Sequence, residues 1–130
     1  MKCIDTDFLI AILRGKEDAR RKMQELDRES RQATSSVTAF ELFYGAYKSS
    51  EKTKSVEKVS TLLGRLDVLP LDYESSNRAG EVLASLSEDG KMIDFRDALV
   101  AGISMVNSMS LVTRNDKHFS RIRGLEIESW

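Results

Sequence analysis

One cysteine, one histidine and one proline are all that the 130 residues contain of these types, and each scarcity removes a class of function. A lone Cys3 cannot close an internal disulfide. Lying between Lys2 and Ile4 in a strand-like run, it reads as a small buried side chain in a reducing, cytoplasmic compartment rather than as a reactive thiol. With one histidine and one cysteine, the chain cannot supply in number the nitrogen and sulfur ligands that zinc prefers. No long apolar run is present, and Asp5 and Asp7 interrupt the only N-terminal apolar stretch, so neither a membrane span nor a signal peptide is expected. A glycine-rich phosphate loop is also missing. Charge of neither sign dominates: 20 bases against 21 acids leave a net −1. That balance does not decide for or against a nucleic-acid partner, because acids gathered on a cation would leave the bases dominant elsewhere.

What is present suits one α/β domain spanning residues 1–130, since 41% hydrophobic content at this length supports one core and not two. Lys2 to Ile4 reads as a strand ending at Asp5, and Phe8, Leu9, Ile10, Ile12 and Leu13 as a helix closed by Gly15. Ala19, Met23 and Leu26 recur at helical spacing between Lys16 and Glu29. Ala33 to Ser35 is a second strand, followed by a helix whose start, Thr38-Ala39-Phe40-Glu41, has capping-box form. Val56 to Leu66 is amphipathic, Val68 to Leu71 is a strand that Pro70 confines to an edge or an end, and Ala79 to Leu86 is a helix stopped near Gly90. Asp97 to Val106 is a well-buried helix, and Leu111 to Thr113 and Leu125 to Ile127 are the last strands. Strands separated by helices imply a parallel sheet covered on both faces, whose ligands gather outside the carboxyl ends of the strands.

Four acids stand where apolar runs meet turns or helix starts: Asp5, Glu41, Asp97 and Asp116. Carboxylates brought to one edge repel one another, and the usual remedy is a divalent cation. All-oxygen ligation favours Mg2+ or Mn2+, and such a site can activate water against phosphorus. Taken singly, each acid also has a local reading. Glu41 and Asp97 suit the positive ends of their helices, and Asp116 suits a turn. Asp5 is the hardest to dismiss, because a charge directly after a buried strand needs a partner. His118 reads as a surface or RNA-backbone contact. Phe40, Phe43, Tyr44 and Tyr47, at helical spacing, read as core or subunit-interface packing. The basic runs Arg14 to Lys22 and Lys48 to Lys58 read as solvated faces that are also candidates for phosphate contacts.

Ile4-Asp5-Thr6-Asp7-Phe8-Leu9-Ile10, Ser36 to Ala46, Asp97-Ala98-Leu99-Val100-Ala101-Gly102 and Leu111-Val112-Thr113-Arg114-Asn115-Asp116 resemble, in order and spacing, the PIN domain, and most closely the VapC-type toxins of toxin–antitoxin pairs. The resemblance runs along almost the whole chain, to Gly124-Leu125-Glu126-Ile127 and Trp130. It implies a three-layer α/β/α sandwich around a mainly parallel sheet of four to five short strands. It further implies an Mg2+- or Mn2+-dependent endoribonuclease, a homodimer, and a small cognate antitoxin whose C-terminal segment lies in the catalytic groove. Asp5, Glu41 and Asp97 match the first three family acids, and Thr6 and Thr113 match hydroxyl positions near the site. At the fourth acid relatives differ: Asn115 and His118 occupy places where some carry one, so Asp116 is the candidate here, with Asp94 as an outer-sphere alternative.

Other classes compete. A haloacid-dehalogenase-type phosphatase is suggested by Asp5-x-Asp7 after a strand, but the short tail after Thr113 leaves no room for its later lysine and distal acids. A PIN-like binding module with a decayed site is the non-enzymatic alternative, and metal-dependent RNA cleavage separates it from the nuclease.

Overall fold

The computed structural model describes residues 1–130. Five strands and seven helices follow in the order β1 (Cys3–Ile4), α1 (Thr6–Leu13), α2 (Glu17–Glu29), β2 (Ala33–Ser35), α3 (Ser36–Lys48), α4 (Lys52–Leu63), β3 (Asp67–Leu69), α5 (Tyr73–Glu88), α6 (Phe95–Val106), β4 (Leu111–Val112), α7 (Asp116–Phe119) and β5 (Ile127–Glu128). All strand pairs are parallel, in the order β3-β2-β1-β4-β5. The chain builds outward from central β1 through β2 to β3, then crosses back to lay β4 against the other side of β1. Strand order therefore reverses between β1 and β4. The crevice outside their carboxyl ends is where a parallel sheet of this kind takes a ligand.

Alternation along β1 and β4 gives the sheet a core on each face. Ile4 and Val112 point toward α1 to α4, where they meet Phe8, Leu9, Met23, Leu26, Leu42 and Leu62. Cys3 and Leu111 point the other way, to Val82, Leu86, Val100, Ala101 and Phe119. The result is the expected three-layer sandwich, each layer held by apolar surface removed from water. Cys3 is fully buried, and burial pushes its thiol up to about 11, which fits an inert side chain. In the second core α6 lies close on α5. A Cβ added at Gly102 would stand 2.7 Å from the Ser75 carbonyl oxygen and 2.9 Å from Ala79 Cβ and N.

Most elements fall where periodicity placed them, and the differences have local causes. β3 is an edge strand and Pro70 follows it directly, so the missing N–H disrupts no ladder. Leu66 is buried beyond the end of α4. β5 begins at Ile127 rather than Leu125, after a turn in which Gly124 takes φ 87°. The four residues of α7 lie in a segment with no helical signal in its sequence beyond Phe119. The capping box expected at Thr38 and Glu41 is not the start of α3. β2 runs straight into the helix, Ser35 is the N-cap, and its hydroxyl accepts from the Thr38 N–H at 3.0 Å. Glu41 thus lies in the second turn, free of a capping role. Phe40, Tyr44 and Tyr47 are 65%, 57% and 59% exposed, which removes the core reading for these three. No helix is long and apolar enough to cross a membrane.

Candidate active site

A cleft of about 480 Å³ opens at the β1/β4 switch point, lined by Asp5, Thr6, Asp7, Ile10, Glu41, Asp97, Arg114 and Asn115. Asp5 arrives there because β1 ends one residue earlier. Its N–H still bonds the Val112 carbonyl at 3.0 Å while its side chain stands at the N-cap of α1. Asp97 comes from the first turn of α6, which Asp94 caps by accepting from the Arg96 N–H at 2.8 Å. Glu41 comes from α3, and Asn115 from the loop after β4.

Hydroxyl groups hold the acids in place. Thr113 Oγ1 donates to Asp5 Oδ2 at 2.7 Å and accepts from the Asn115 N–H at 2.9 Å. The Asn115 amide reaches Asp97 Oδ2 at 3.4 Å. Thr6 Oγ1 donates to Glu41 Oε1 at 2.9 Å, and because a hydroxyl has one proton, its 3.0 Å contact with Thr38 must be a bond donated by Thr38. Ser35 completes the relay by donating to Thr38 at 3.2 Å.

The acids are under electrostatic strain. Asp5 is only 7% exposed, and burial pushes its carboxyl up to about 7; the Thr113 hydroxyl opposes this, while the charges of Asp7 and Asp97 add to it. Asp97 is raised by burial and by Asp94 and Glu41, with His118 opposing. Asp94 is held below the usual carboxylate range by Arg96, whose guanidinium also lies 3.9 Å from Glu41 Oε2.

The other sequence candidates lie farther out. Asp116 is exposed as the first residue of α7 and does not line the cleft, nor does Asp94. His118 is half-exposed, its Nδ1 at 3.7 Å from Asp97 Oδ2. Asp7 and Arg114 were missed as cleft residues, although Asp7 stands two positions after Asp5 and Arg114 between the two residues that orient the acids.

The donor set suits a hydrated hard cation. It is all oxygen, Asp7 Oδ1 is buried without a hydrogen-bond partner, and Asp5 has one side-chain donor against its burial. No three of the acids and His118 converge closely enough to chelate an ion by themselves. Mg2+ does not require that, since it keeps several waters and binds through one or two carboxylates.

A family model described as PIN domain matches residues 2–125. The chain belongs to the PIN-domain family. Among curated relatives, the tRNA(fMet)-specific endonuclease VapC of Salmonella typhimurium is 32% identical over 127 residues, covering 98% of this chain and 96% of the relative. Ribonuclease VapC2 of Haemophilus influenzae is also 32% identical, over 133 residues with the same coverage. In three dimensions this PIN chain superposes on a chain of the DNA-bound VapBC structure from Salmonella typhimurium with a TM-score of 0.91 at 30% identity, covering 100% of this chain and 99% of that one. VapBC2 of Rickettsia felis, bound to a DNA fragment from its promoter, gives a TM-score of 0.91 at 28% identity, covering 99% and 98%.

Proposed function

We propose that the chain is a metal-dependent endoribonuclease, the toxin of a toxin–antitoxin pair, with residues 1–130 acting as one cytoplasmic domain. The observation that carries this is the convergence of Asp5, Glu41 and Asp97 on one cleft, with Thr113 and Thr6 aimed at the first two, in a chain 32% identical to curated ribonucleases. Asp5 and Asp97 would hold Mg2+ or Mn2+, with Glu41 and Asp7 ordering its waters. The ion, when bound, lowers the pKa of water and offsets charge on the phosphodiester. The protein's own part is positional. Thr113 fixes the rotamer of Asp5, Asn115 that of Asp97, and the Ser35-Thr38-Thr6 relay that of Glu41.

Purified protein incubated with structured and single-stranded RNA should cleave with Mn2+ and stop with chelator, and Asp97→Asn should be inactive yet folded. Cleavage that persists in chelator would overturn the metal reading; a wild-type protein inert under all conditions would favour the decayed binding module. Thr113→Val should reduce cleavage about 10- to 100-fold at neutral pH, the usual worth of a group that orients a metal ligand. The loss should shrink as pH rises, because removing the donor raises Asp5 further and alkaline pH restores its charge.

Two surfaces support the expected protein partners. A groove of about 340 Å³ shares Ile10 and Glu41 with the acidic cleft and continues over Leu13, Leu42, Gly45 and Val59. It fits an amphipathic antitoxin segment whose basic tip pairs with the acids. Gly45→Met would place a side chain in this groove, since a Cβ there meets nothing within 4 Å. It should weaken antitoxin binding about tenfold or more by calorimetry and leave RNA cleavage intact. Along the exposed side of α3, the Phe40 and Tyr44 rings stack at 6.2 Å, with Lys48 over Tyr44 and Tyr47 nearby. This face supports a homodimer, and Tyr44→Glu should yield monomer by light scattering.

A further inference from the structure

The loop after β4 carries the two residues that orient Asp5 and Asp97, and the residue between them pairs with Trp130 and Asp18 rather than with either acid. Arg114 Nε donates to the Trp130 main-chain oxygen at 2.7 Å, and its guanidinium carbon lies over the Trp130 ring, 3.6 Å from the centroid. A guanidinium nitrogen also pairs with Asp18 on α2. The Arg114 N–H reaches Asp7 Oδ2 at 3.3 Å. Trp130 is anchored in turn, its ring 4.6 Å from that of fully buried Phe8.

We propose that Arg114 is a positioning residue: clamped by Trp130 and Asp18, it holds the 113–115 loop so that Thr113 and Asn115 meet Asp5 and Asp97. Three features argue for this. The Arg114 side chain is committed to protein partners on both its edge and its face, so it is poorly placed to take an RNA phosphate although it lines the cleft. Short loops move as units, so freeing residue 114 frees both neighbours. β4 itself is only Leu111–Val112, and beyond it the last ladder bond is from the Thr113 N–H to the Glu128 carbonyl, which leaves Asn115 without sheet support. Stacking and a bidentate reach are properties of arginine that lysine lacks.

The inference rests on the ribonuclease reading, and a metal-binding arm separates the two. Arg114→Ala, Arg114→Lys, Asn115→Ala and the Arg114→Ala/Asn115→Ala pair are compared with wild type for Mn2+ affinity by calorimetry and for kcat and KM on RNA, below each variant's melting temperature. Arg114→Ala is expected to lose about 10- to 100-fold in kcat with KM nearly unchanged, and to bind Mn2+ more weakly. Arg114→Lys should recover part through the Asp18 pair alone. The double variant should cost little more than either single one, because both act on the same loop. A raised KM with kcat unchanged would mean that Arg114 grips RNA, and additive losses would mean that it acts independently of Asn115; either overturns the proposal. If wild type binds Mn2+ without cleaving RNA, the ribonuclease reading fails while the affinity comparison still decides on Arg114. If wild type binds no Mn2+, both fail.

Discussion

Asp5→Asn should abolish RNA cleavage and, without divalent cation, make the protein more stable. Loss of a direct metal ligand should exceed the roughly 100-fold upper range for groups that merely orient one. The stability effect follows from burial. The Asp5 carboxyl is pushed up from an ordinary 3.8 to about 7 in the folded chain. Below pH 3.8 it is protonated whether folded or not, and it contributes nothing to the difference. Between 3.8 and about 7 the unfolded chain gives up a proton that the folded chain keeps, so stability falls as pH rises. Above about 7 the buried charge carries its full cost, on the order of a few kcal/mol. Asp97, raised by burial and by Asp94, pushes in the same direction. Thermal melts in chelator should therefore show wild type losing stability from pH 5 to pH 8 and Asp5→Asn changing far less. Mn2+ should raise the wild-type melting temperature more than that of the variant, since a ligand that binds only the folded state stabilises it. Equal melting of the two proteins in chelator at pH 8 would show that the site is not strained as described.

Gly102→Ala should destabilise the fold by about 1–3 kcal/mol, the usual cost of an extra methyl group in a packed core. Alanine gains about 1 kcal/mol of helix propensity over glycine, but here the methyl would stand 2.7 Å from the Ser75 carbonyl oxygen and 2.9 Å from the Ala79 nitrogen. Those are backbone atoms, and they cannot swing aside as a side-chain tip can. α6 would have to lift from α5, carrying Asp97 in its first turn with it, so cleavage should fall together with stability. Gly80→Ala in α5 is the matched control: a Cβ there meets nothing within 4 Å, so propensity should prevail and stabilise by up to about 1 kcal/mol. Urea unfolding of the two variants separates packing from propensity by sign. A stabilised Gly102→Ala would disprove the close approach of α5 and α6.

Periodicity and punctuation made nearly every element legible. Ala19, Met23 and Leu26 outline α2, Gly15 and Gly90 mark helix ends where φ is positive, and Pro70 marks the end of an edge strand. Boundaries slipped where two signals overlapped. Thr38-x-x-Glu41 looks like a cap, but the ladder with β3 runs to Ser35, and that last strand residue takes the cap. Exposed aromatics also misled, because helical spacing reports that residues share a face and not which face is buried.

The sequence by itself determined the fold class, the poverty of nitrogen and sulfur donors, and three of the acids that line the cleft, Asp5, Glu41 and Asp97. These follow from patterns local in the chain: an acid directly after an apolar strand, acids near helix starts, and too few nitrogen and sulfur donors for a softer metal. Only the tertiary structure decided which neighbours complete the cleft. It brought in Asp7 and Arg114, left Asp116 exposed outside the lining, and tied Arg114 to Trp130 and Asp18, contacts that span up to 96 positions. A strand's end can be read from its own residues. What lies across a cleft depends on which strand pairs with β1, and that is settled by the packing of two cores on opposite faces of the sheet.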